Sequence, residues 1–223
     1  MPAEDLKSRL DAVEERIQRA CDASGRPRGE VLLLAVTKVF PASAIIDAYA
    51  LGLRHFGENY VQEFETKAPQ LPGLPGACFH LIGHLQSNKS ARAGELFGVI
   101  QTVDSAKLAR RLDSLGCPLD VYIEVKLSEE ESKHGVAPED LPALADSIRP
   151  LPNLHLKGLM TMPPWSDDPE PSRPYFRRLR ELAARENLPG LSMGMSHDLE
   201  VAIQEGATIV RVGTALFGSR RPH

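Results

Sequence analysis

The chain has 223 residues, of which 42% are hydrophobic and 25% are charged, and its formal net charge is −4. This is the composition of an ordinary globular protein with enough apolar residues for a large core, and the lack of a basic excess argues against a general nucleic-acid binder. The three cysteines, Cys21, Cys78 and Cys117, are far apart and include no CxxC pair. We therefore expect a reducing compartment, with neither a disulfide framework nor a zinc site.

No targeting or membrane segment is visible in the sequence. The first ten residues include the acidic pair Glu4 and Asp5 and contain no apolar core, which argues against a secretory signal peptide. No run of apolar residues approaches the roughly 18 residues that indicate a membrane-spanning helix. We therefore expect a cytoplasmic protein.

The first predicted element is an amphipathic helix. Its apolar residues recur at alternating steps of four and three, namely Leu6, Leu10, Val13, Ile17 and Ala20. A polar turn follows at 24–29. Six apolar residues, 31–36, then run without a break up to Thr37 and Lys38, with Pro41 beyond them. A short apolar run between turn signals predicts a strand buried on both faces, with Lys38 where that strand leaves the core.

The pattern of a strand followed by a helix then repeats along the chain. The eight predicted strands cover residues 31–36, 54–59, 78–83, 98–104, 119–127, 154–162, 191–195 and 208–213. Eight units in 223 residues average about 28 residues each, which suits a single α/β (β/α)8 TIM barrel, here with an extra N-terminal helix. The rival is an open doubly wound sheet, but no GxGxxG motif follows the first strand. No linker indicates a second domain, so we expect one domain over residues 1–223.

Two predicted turns favour a phosphate site. In (β/α)8 barrels the functional site lies at the carboxyl ends of the strands, and phosphate commonly binds after strands seven and eight. Strand seven ends in GMSHD, which places Ser196 at a helix start, and strand eight ends in RVGT, with Gly213 and Thr214 leading into another helix. Helix starts present free N–H groups that suit a phosphate. Each turn alone is equally consistent with a plain cap or tight turn, but together they favour phosphate.

Two cationic residues are predicted beside that phosphate site. Loss of solvation at the edge of an apolar wall would lower the pKa of Lys38 toward the nucleophilic amine that a Schiff base needs, although a lysine extending to solvent is the alternative. Arg211 lies two residues before Gly213 and so points to the same side of its strand. A phosphate site, a lysine and an arginine at the same end of the barrel suggest pyridoxal 5′-phosphate (PLP). The arginine would face the pyridine nitrogen and, because it keeps its proton, leave that nitrogen unprotonated.

Other polar residues at the predicted strand ends are weaker candidates. They are Asn59, His84 with Asn88, Asp104 and Thr161. A lone histidine in a loop is more often structural or solvated than catalytic, and this applies to His84, His134 and His197. The acidic run at 129–132 indicates a solvated loop, and Lys133 beside it a surface lysine.

Seven motifs in order resemble those of the YggS/PROSC family of pyridoxal phosphate homeostasis proteins: AVTK, FGENY, HLIGHLQSNK, EESKHG, GLMTM, SMGMSHDLE and RVGTALFG. They extend from residue 35 to residue 218, so the resemblance covers nearly the whole chain. It implies a single barrel like the N-terminal domain of alanine racemase. It also implies a protein that binds and delivers PLP in intracellular PLP homeostasis, without a well-established catalytic turnover.

The resemblance implies roles for particular residues. Lys38 would hold the cofactor as an aldimine, Arg211 matches the arginine at the pyridine nitrogen, and Asn59 matches the asparagine near the cofactor. The phosphate-binding positions of the family match Ser196, Gly213 and Thr214. Apo PLP-dependent enzymes are the implied recipients. No hydrophobic patch in the sequence argues for a dimer, so we expect a monomer, with no catalytic or metal-ligating residue.

Strand five departs from the family pattern. It reads YIEVKLS where a sequence nearer QVNTS is expected, so Glu124 and Lys126 replace neutral polar residues, and their opposite charges favour an ion pair. This departure affects the expected structure of the barrel wall below the cavity opening, not the expected cofactor site. A separate feature is Trp165, the single Trp, which lies in a Pro-rich loop that either covers the mouth or shields it.

Two other functions stay open. A PLP-dependent amino-acid racemase or related fold-type III enzyme needs a second proton acceptor opposite the lysine, and the resemblance to alanine racemase implies a tyrosine from a second domain. The chain ends shortly after Thr214, and its own tyrosines are poor substitutes, so we favour a carrier over an enzyme. The tyrosines are Tyr49, Tyr60, Tyr122 and Tyr175. The remaining alternative is a barrel enzyme that uses a metal or a phosphosugar and no PLP.

Overall fold

Eight parallel strands close into a barrel in the computed structural model, which describes residues 3–128 and 134–218. Each strand pairs with the next one in sequence, and the last pairs with the first, where Leu34 lies opposite Arg211. The strands are β1 Leu32–Val36, β2 His55–Glu58, β3 Cys78–Leu81, β4 Val99–Val103, β5 Leu119–Glu124, β6 Leu154–Met160, β7 Gly190–Met195 and β8 Ile209–Val212. The predicted barrel is therefore confirmed.

Helices precede the first strand and follow every strand around the barrel. They are α1 Ala3–Ala23, α2 Ala42–Ala50, α3 Val61–Lys67, α4 Ser90–Leu96, α5 Ala106–Asp113, α6 Leu141–Ile148, α7 Arg173–Arg185, α8 Leu199–Gln204 and α9 Thr214–Phe217. Within the described ranges, none of these helices combines the length and the apolar content needed to cross a membrane.

The predicted N-terminal helix is confirmed as α1, which packs against α8 and α9. Its predicted apolar face is buried, and Ile17 on that face is fully inaccessible. Next to this face, Arg16 donates hydrogen bonds of 2.6 and 2.8 Å to the Glu200 carboxylate of α8. The helix thus braces α8 and α9, the two helices that follow the predicted phosphate turns.

Side chains of the strands alternate between the barrel interior and the helix layer. In β1, Leu33 and Ala35 join the large core under the helices, whereas Leu34 and Val36 join a smaller cluster inside the barrel. The members of the interior cluster are Leu34, Val36, Ile82, Val99, Tyr122, Met160 and Ile209. Both faces of β1 are therefore buried, which is the physical reason that its sequence is apolar without a break.

Three predicted strands extend by two or more residues beyond the observed ones. The predicted strands 78–83, 119–127 and 154–162 end in the structure at Leu81, Glu124 and Met160. Apolar residues continue past these ends because they are buried for other reasons: Ile82 lines a cavity, and Val125 forms an isolated bridge with Val136. An apolar run marks burial, whereas the strand ends where pairing with its neighbours stops.

Candidate functional site

A cavity of about 800 Å³ lies at the carboxyl ends of the strands. All six residues that the sequence singles out for the cofactor line it, namely Lys38, Asn59, Ser196, Arg211, Gly213 and Thr214. They lie at or just beyond the ends of β1, β2, β7 and β8, and closure of the barrel brings these four ends together. Apolar and aromatic side chains complete the wall, among them Val36, Ile82 and Trp165.

The turns after β7 and β8 meet at one hydroxyl group. Oγ of Ser196 accepts hydrogen bonds from the backbone N–H groups of Gly213 and Ala215, each 3.2 Å long. Gly213 immediately precedes α9, and a Cβ on it would lie 3.4 Å from the Cβ and the carbonyl oxygen of Val36. Backbone donors at a helix start thus converge on an oxygen atom, an arrangement that suits a phosphate oxygen.

Arg211 is a buried cation beside these turns, only 4% exposed. Its guanidinium donates hydrogen bonds to the Thr161 carbonyl at 2.9 Å and to the carbonyl and hydroxyl of Ser192 at 2.7 and 2.9 Å. Burial lowers the pKa of Arg211 to about 10, and the charges of Asp198 and Glu124 oppose that shift. The group therefore keeps its positive charge at neutral pH and is held in one orientation at the cavity.

A chain of hydrogen bonds runs from Arg211 down the barrel interior. The Ser192 hydroxyl, which accepts from Arg211, donates to Oε1 of Gln101 at 2.6 Å. The amide nitrogen of Gln101 then donates to Nδ1 of His80 at 2.9 Å, so the proton of this neutral ring lies on Nε2. That nitrogen is 3.0 Å from Nδ1 of His55, to which it donates. The chain has one direction because a guanidinium donates and cannot accept.

A buried ion pair anchors the turn that carries Lys38. Glu58 of β2 is fully buried, and Nζ of Lys67 lies 3.0 Å from both of its carboxylate oxygens. The same ammonium donates to the Thr37 carbonyl at 2.9 Å, and the Thr37 hydroxyl donates to Glu58 at 2.7 Å. Burial raises the pKa of Glu58, whereas Lys67 and the Thr37 hydroxyl lower it. The carboxylate therefore depends on these two partners to remain charged.

Val39, the residue after Lys38, has a strained backbone. Its φ is 63°, in the left-handed region that β-branched residues avoid. Its N–H donates to the Glu63 carboxylate at 2.5 Å, and Glu63 also pairs with Lys67 at 2.6 Å. The ion-pair network thus holds the backbone on both sides of Lys38. Strain that is maintained in this way is typical of functional turns.

Glu124, at the end of β5, is a buried carboxyl group that is only partly satisfied. Burial raises the pKa of Glu124 to about 7, a shift that Arg211 opposes and Asp104 increases. Its Oε2 has no hydrogen-bond partner. The charges that act on it are those of Arg211 and Asp104 rather than that of Lys126, so the ion pair suggested by the sequence is not observed.

Three histidines with weak sequence signals also line the cavity: His84, His134 and His197. The rings of His84 and His134 stack with their centroids 3.8 Å apart, and Nδ1 of His84 lies 3.7 Å from the Asp104 carboxylate. His197 packs against Trp165 at 4.8 Å, and its buried Nε2 has no hydrogen-bond partner. Trp165 is 70% exposed and therefore lies at the rim of the cavity.

Several polar residues that support the site are missed by the sequence analysis, namely Glu58, Lys67, Gln101 and Ser192. Glu58 and Gln101 carry a usable signal, because each is a polar residue within a short strand pattern, where burial requires a partner. Lys67 carries none, since a lysine on a helix usually faces solvent. Lys133 and the acidic run 129–132 lie outside the described residues.

Comparisons with known proteins identify relatives over nearly the full chain. The family described as alanine racemase, N-terminal domain, matches residues 8–221. The pyridoxal phosphate homeostasis protein of Pseudomonas aeruginosa is 50% identical over 221 residues, covering 96% of this chain and 96% of that protein. The protein of the same name from Aquifex aeolicus is 47% identical, covering 96% of this chain and 97% of the relative.

Solved structures show the same fold. PipY of Synechococcus elongatus, determined with PLP bound, is 39% identical with a TM-score of 0.81, covering 96% of this chain and all of that chain. An alanine racemase of Clostridium difficile has a TM-score of 0.72 at 14% identity. This chain covers 58% of the racemase, so that likeness concerns the fold of the barrel alone.

Replacing Lys67 with Met should lower the free energy of unfolding by about 3–5 kcal/mol, because it leaves the buried Glu58 carboxylate without its cation. Urea denaturation followed by circular dichroism measures this difference. The double substitution Lys67→Met with Glu58→Gln should recover part of the loss. The exposed Lys107→Met serves as the control, and a Lys67→Met variant as stable as this control would contradict the assignment.

Replacing Glu124 with Gln should stabilise the protein at pH 8 and matter little at pH 4.5. The folded pKa of about 7 exceeds the ordinary value of 4.5, so between these values only the folded state holds the proton. The contribution of Glu124 to the free energy of unfolding is therefore fully present below pH 4.5 and is lost as the pH rises through 7. The loss amounts to about 3 kcal/mol. Urea unfolding at both pH values measures it, with the exposed Glu139→Gln as control. Equal effects of Glu124→Gln at both pH values would refute the shift.

Proposed function

Because this chain belongs to the alanine racemase N-terminal domain family, and within it to the pyridoxal phosphate homeostasis proteins, we propose that it binds PLP through Lys38 and maintains the supply of that cofactor in the cell. The observation that supports this best is the cavity itself. One space brings together a lysine, a set of phosphate-type donors and a buried arginine. On this proposal the chain forms one PLP-binding domain.

The residues of the cavity fit PLP. When bound, PLP supplies an aldehyde that combines with a primary amine and a ring that withdraws electrons. The Lys38 amine is the point of attachment, on a turn held by the Lys67 network. The phosphate subsite consists of Ser196, Gly213 and Thr214, and Asn59 lines the cavity near the attachment point. The volume of about 800 Å³ leaves room beside a ligand of that size.

Arg211 supports a carrier rather than a catalyst. A guanidinium that faces the pyridine nitrogen offers a hydrogen-bond donor and keeps its own proton, so that nitrogen stays unprotonated. An unprotonated ring withdraws electrons weakly, which disfavours chemistry at an amino-acid substrate. The alternative, a PLP-dependent amino-acid racemase, is favoured by one observation. All four tyrosines lie in the part of the chain that the structure describes, and of these only Tyr60 lines the cavity.

We also propose where the cofactor is handed to its recipients. Among the residues that the structure describes, the exposed large apolar side chains are Val39, Tyr60, Met162 and Trp165. Three of them line the cavity and Val39 follows Lys38, so the exposed apolar surface coincides with the rim. Apo PLP-dependent enzymes would contact this rim and receive the cofactor there. We propose that the carrier acts as a monomer in the cytoplasm, where its three free cysteines stay reduced.

Purified protein incubated with PLP should be yellow, and Lys38→Ala should lose the visible absorbance of the bound cofactor. Borohydride reduction of the parent followed by peptide mass spectrometry should place the added mass on Lys38. Lys89→Ala is the matched control, because Lys89 also lines the cavity, and it should keep the colour. An unchanged visible spectrum in Lys38→Ala would exclude Lys38 as the attachment point. A colourless parent that takes up no PLP would refute the proposed function.

PLP should pass from the loaded protein to an apo transaminase faster than it passes to a small-molecule scavenger of free PLP. Removing apolar contact area at the rim with Trp165→Ala should slow the transfer by about tenfold, as for the loss of a typical interface contact. Recovery of transaminase activity measures the transfer rate, and the exposed Lys107→Ala is the control. Equal rates to enzyme and scavenger would show that the cofactor simply dissociates.

A further inference from the structure

A second cluster of reactive side chains lies inside the barrel at the end opposite the cavity. His55 begins β2 and Cys78 begins β3, and the two residues are register partners on adjacent strands. His80 lies two residues after Cys78 and so shares its face of β3. One ligand atom from each of these three residues lies within 4.8 Å of the others. No residue of this cluster lines the cavity.

The distances in the cluster are close to those of a metal centre. Zinc holds histidine nitrogens at about 2.0–2.1 Å, so two nitrogens at a tetrahedral angle are roughly 3.3 Å apart. Nδ1 of His55 and Nε2 of His80 are 3.0 Å apart. An ion between them requires these two atoms to separate by a few tenths of an ångström, and the Cys78 sulfur lies within 4.8 Å of both.

The chemical state of the cluster suits a borderline-soft cation. Nδ1 of His55 accepts the hydrogen bond from Nε2 of His80, so it has a lone pair to offer, and Nε2 of His80 offers one once its proton moves to Nδ1 of the same ring. The Cys78 thiol supplies the third, softer ligand when it loses its proton. His55 and Cys78 are only half-buried, which leaves a route for an ion from solvent.

We propose that His55, Cys78 and His80 bind one divalent transition-metal ion of the zinc type at the amino end of the barrel. The Cys78 thiol loses its proton to solvent, and the His80 proton moves from Nε2 to Nδ1, where the oxygen of the turned-over Gln101 amide accepts it. The two imidazole nitrogens then donate lone pairs, and no electron is transferred. A water molecule takes the fourth position. The site shares no residue with the cavity, although hydrogen bonds through Gln101 and Ser192 connect it to Arg211, so it is tested separately from the proposed PLP function.

Cobalt(II) is the probe for the test, because a Co²⁺–thiolate bond gives an intense charge-transfer absorption. Titration of the untagged full-length protein should show one equivalent of Co²⁺ bound with this absorption, and Zn²⁺ should displace it. Cys78→Ser should abolish the band, and His55→Gln should weaken binding by more than about 100-fold, since outer contacts alone contribute 10- to 100-fold. Cys117→Ser and His84→Gln are matched controls and should bind like the parent.

A second measurement distinguishes the loss of the metal site from misfolding of a variant. Zn²⁺ should raise the thermal unfolding midpoint of the parent and of Cys117→Ser, but not that of His55→Gln, whose circular dichroism should match the parent. The absence of a thiolate band in the parent would show that the two histidines simply share a hydrogen bond, and the proposal would fall. It would equally fall if Cys78→Ser bound cobalt as tightly as the parent.

Discussion

The position of Lys38 depends on one buried cation, the ammonium group of Lys67. That group neutralises the fully buried Glu58 and holds the Thr37 carbonyl at the same time. Bringing two opposite charges out of water gives little net stability, because the cost of desolvation consumes most of the attraction. We therefore infer that the Lys67–Glu58 ion pair serves mainly to position the backbone. It keeps Val39 in a conformation that this residue would otherwise leave.

The barrel and the end at which its cavity lies could be predicted because both rest on local patterns. Apolar runs of five or six residues, alternating with amphipathic helices, indicate parallel strands that are buried on both faces. Once the strands are numbered, general knowledge of the fold says which ends carry function. Lys38, Ser196 and Arg211 could thus be assigned to one cavity although 173 residues separate the first from the last.

The supporting contacts could not be predicted, because they depend on register between segments that are distant in sequence. Lys67 reaches Thr37 across 30 residues, and nothing in the pattern of α3 distinguishes this lysine from one in solvent. The sequence argues against a zinc site because it lacks closely spaced cysteine pairs. His55 and Cys78 become neighbours only through the pairing of β2 with β3, which spacing along a single chain does not reveal.

The hydrogen-bond chain inside the barrel has a direction. A guanidinium can donate but not accept, so Arg211 favours the arrangement in which the Ser192 proton points to Gln101 and the Gln101 amide nitrogen points to His80. The choice of which ring nitrogen of His80 and His55 carries the proton, at one end of the barrel, therefore depends on the charge of Arg211 at the other end. A metal ion on Nε2 of His80 would require the amide of Gln101 to turn over, so each of the two possible hydrogen-bond arrangements of the interior would belong to a different cation.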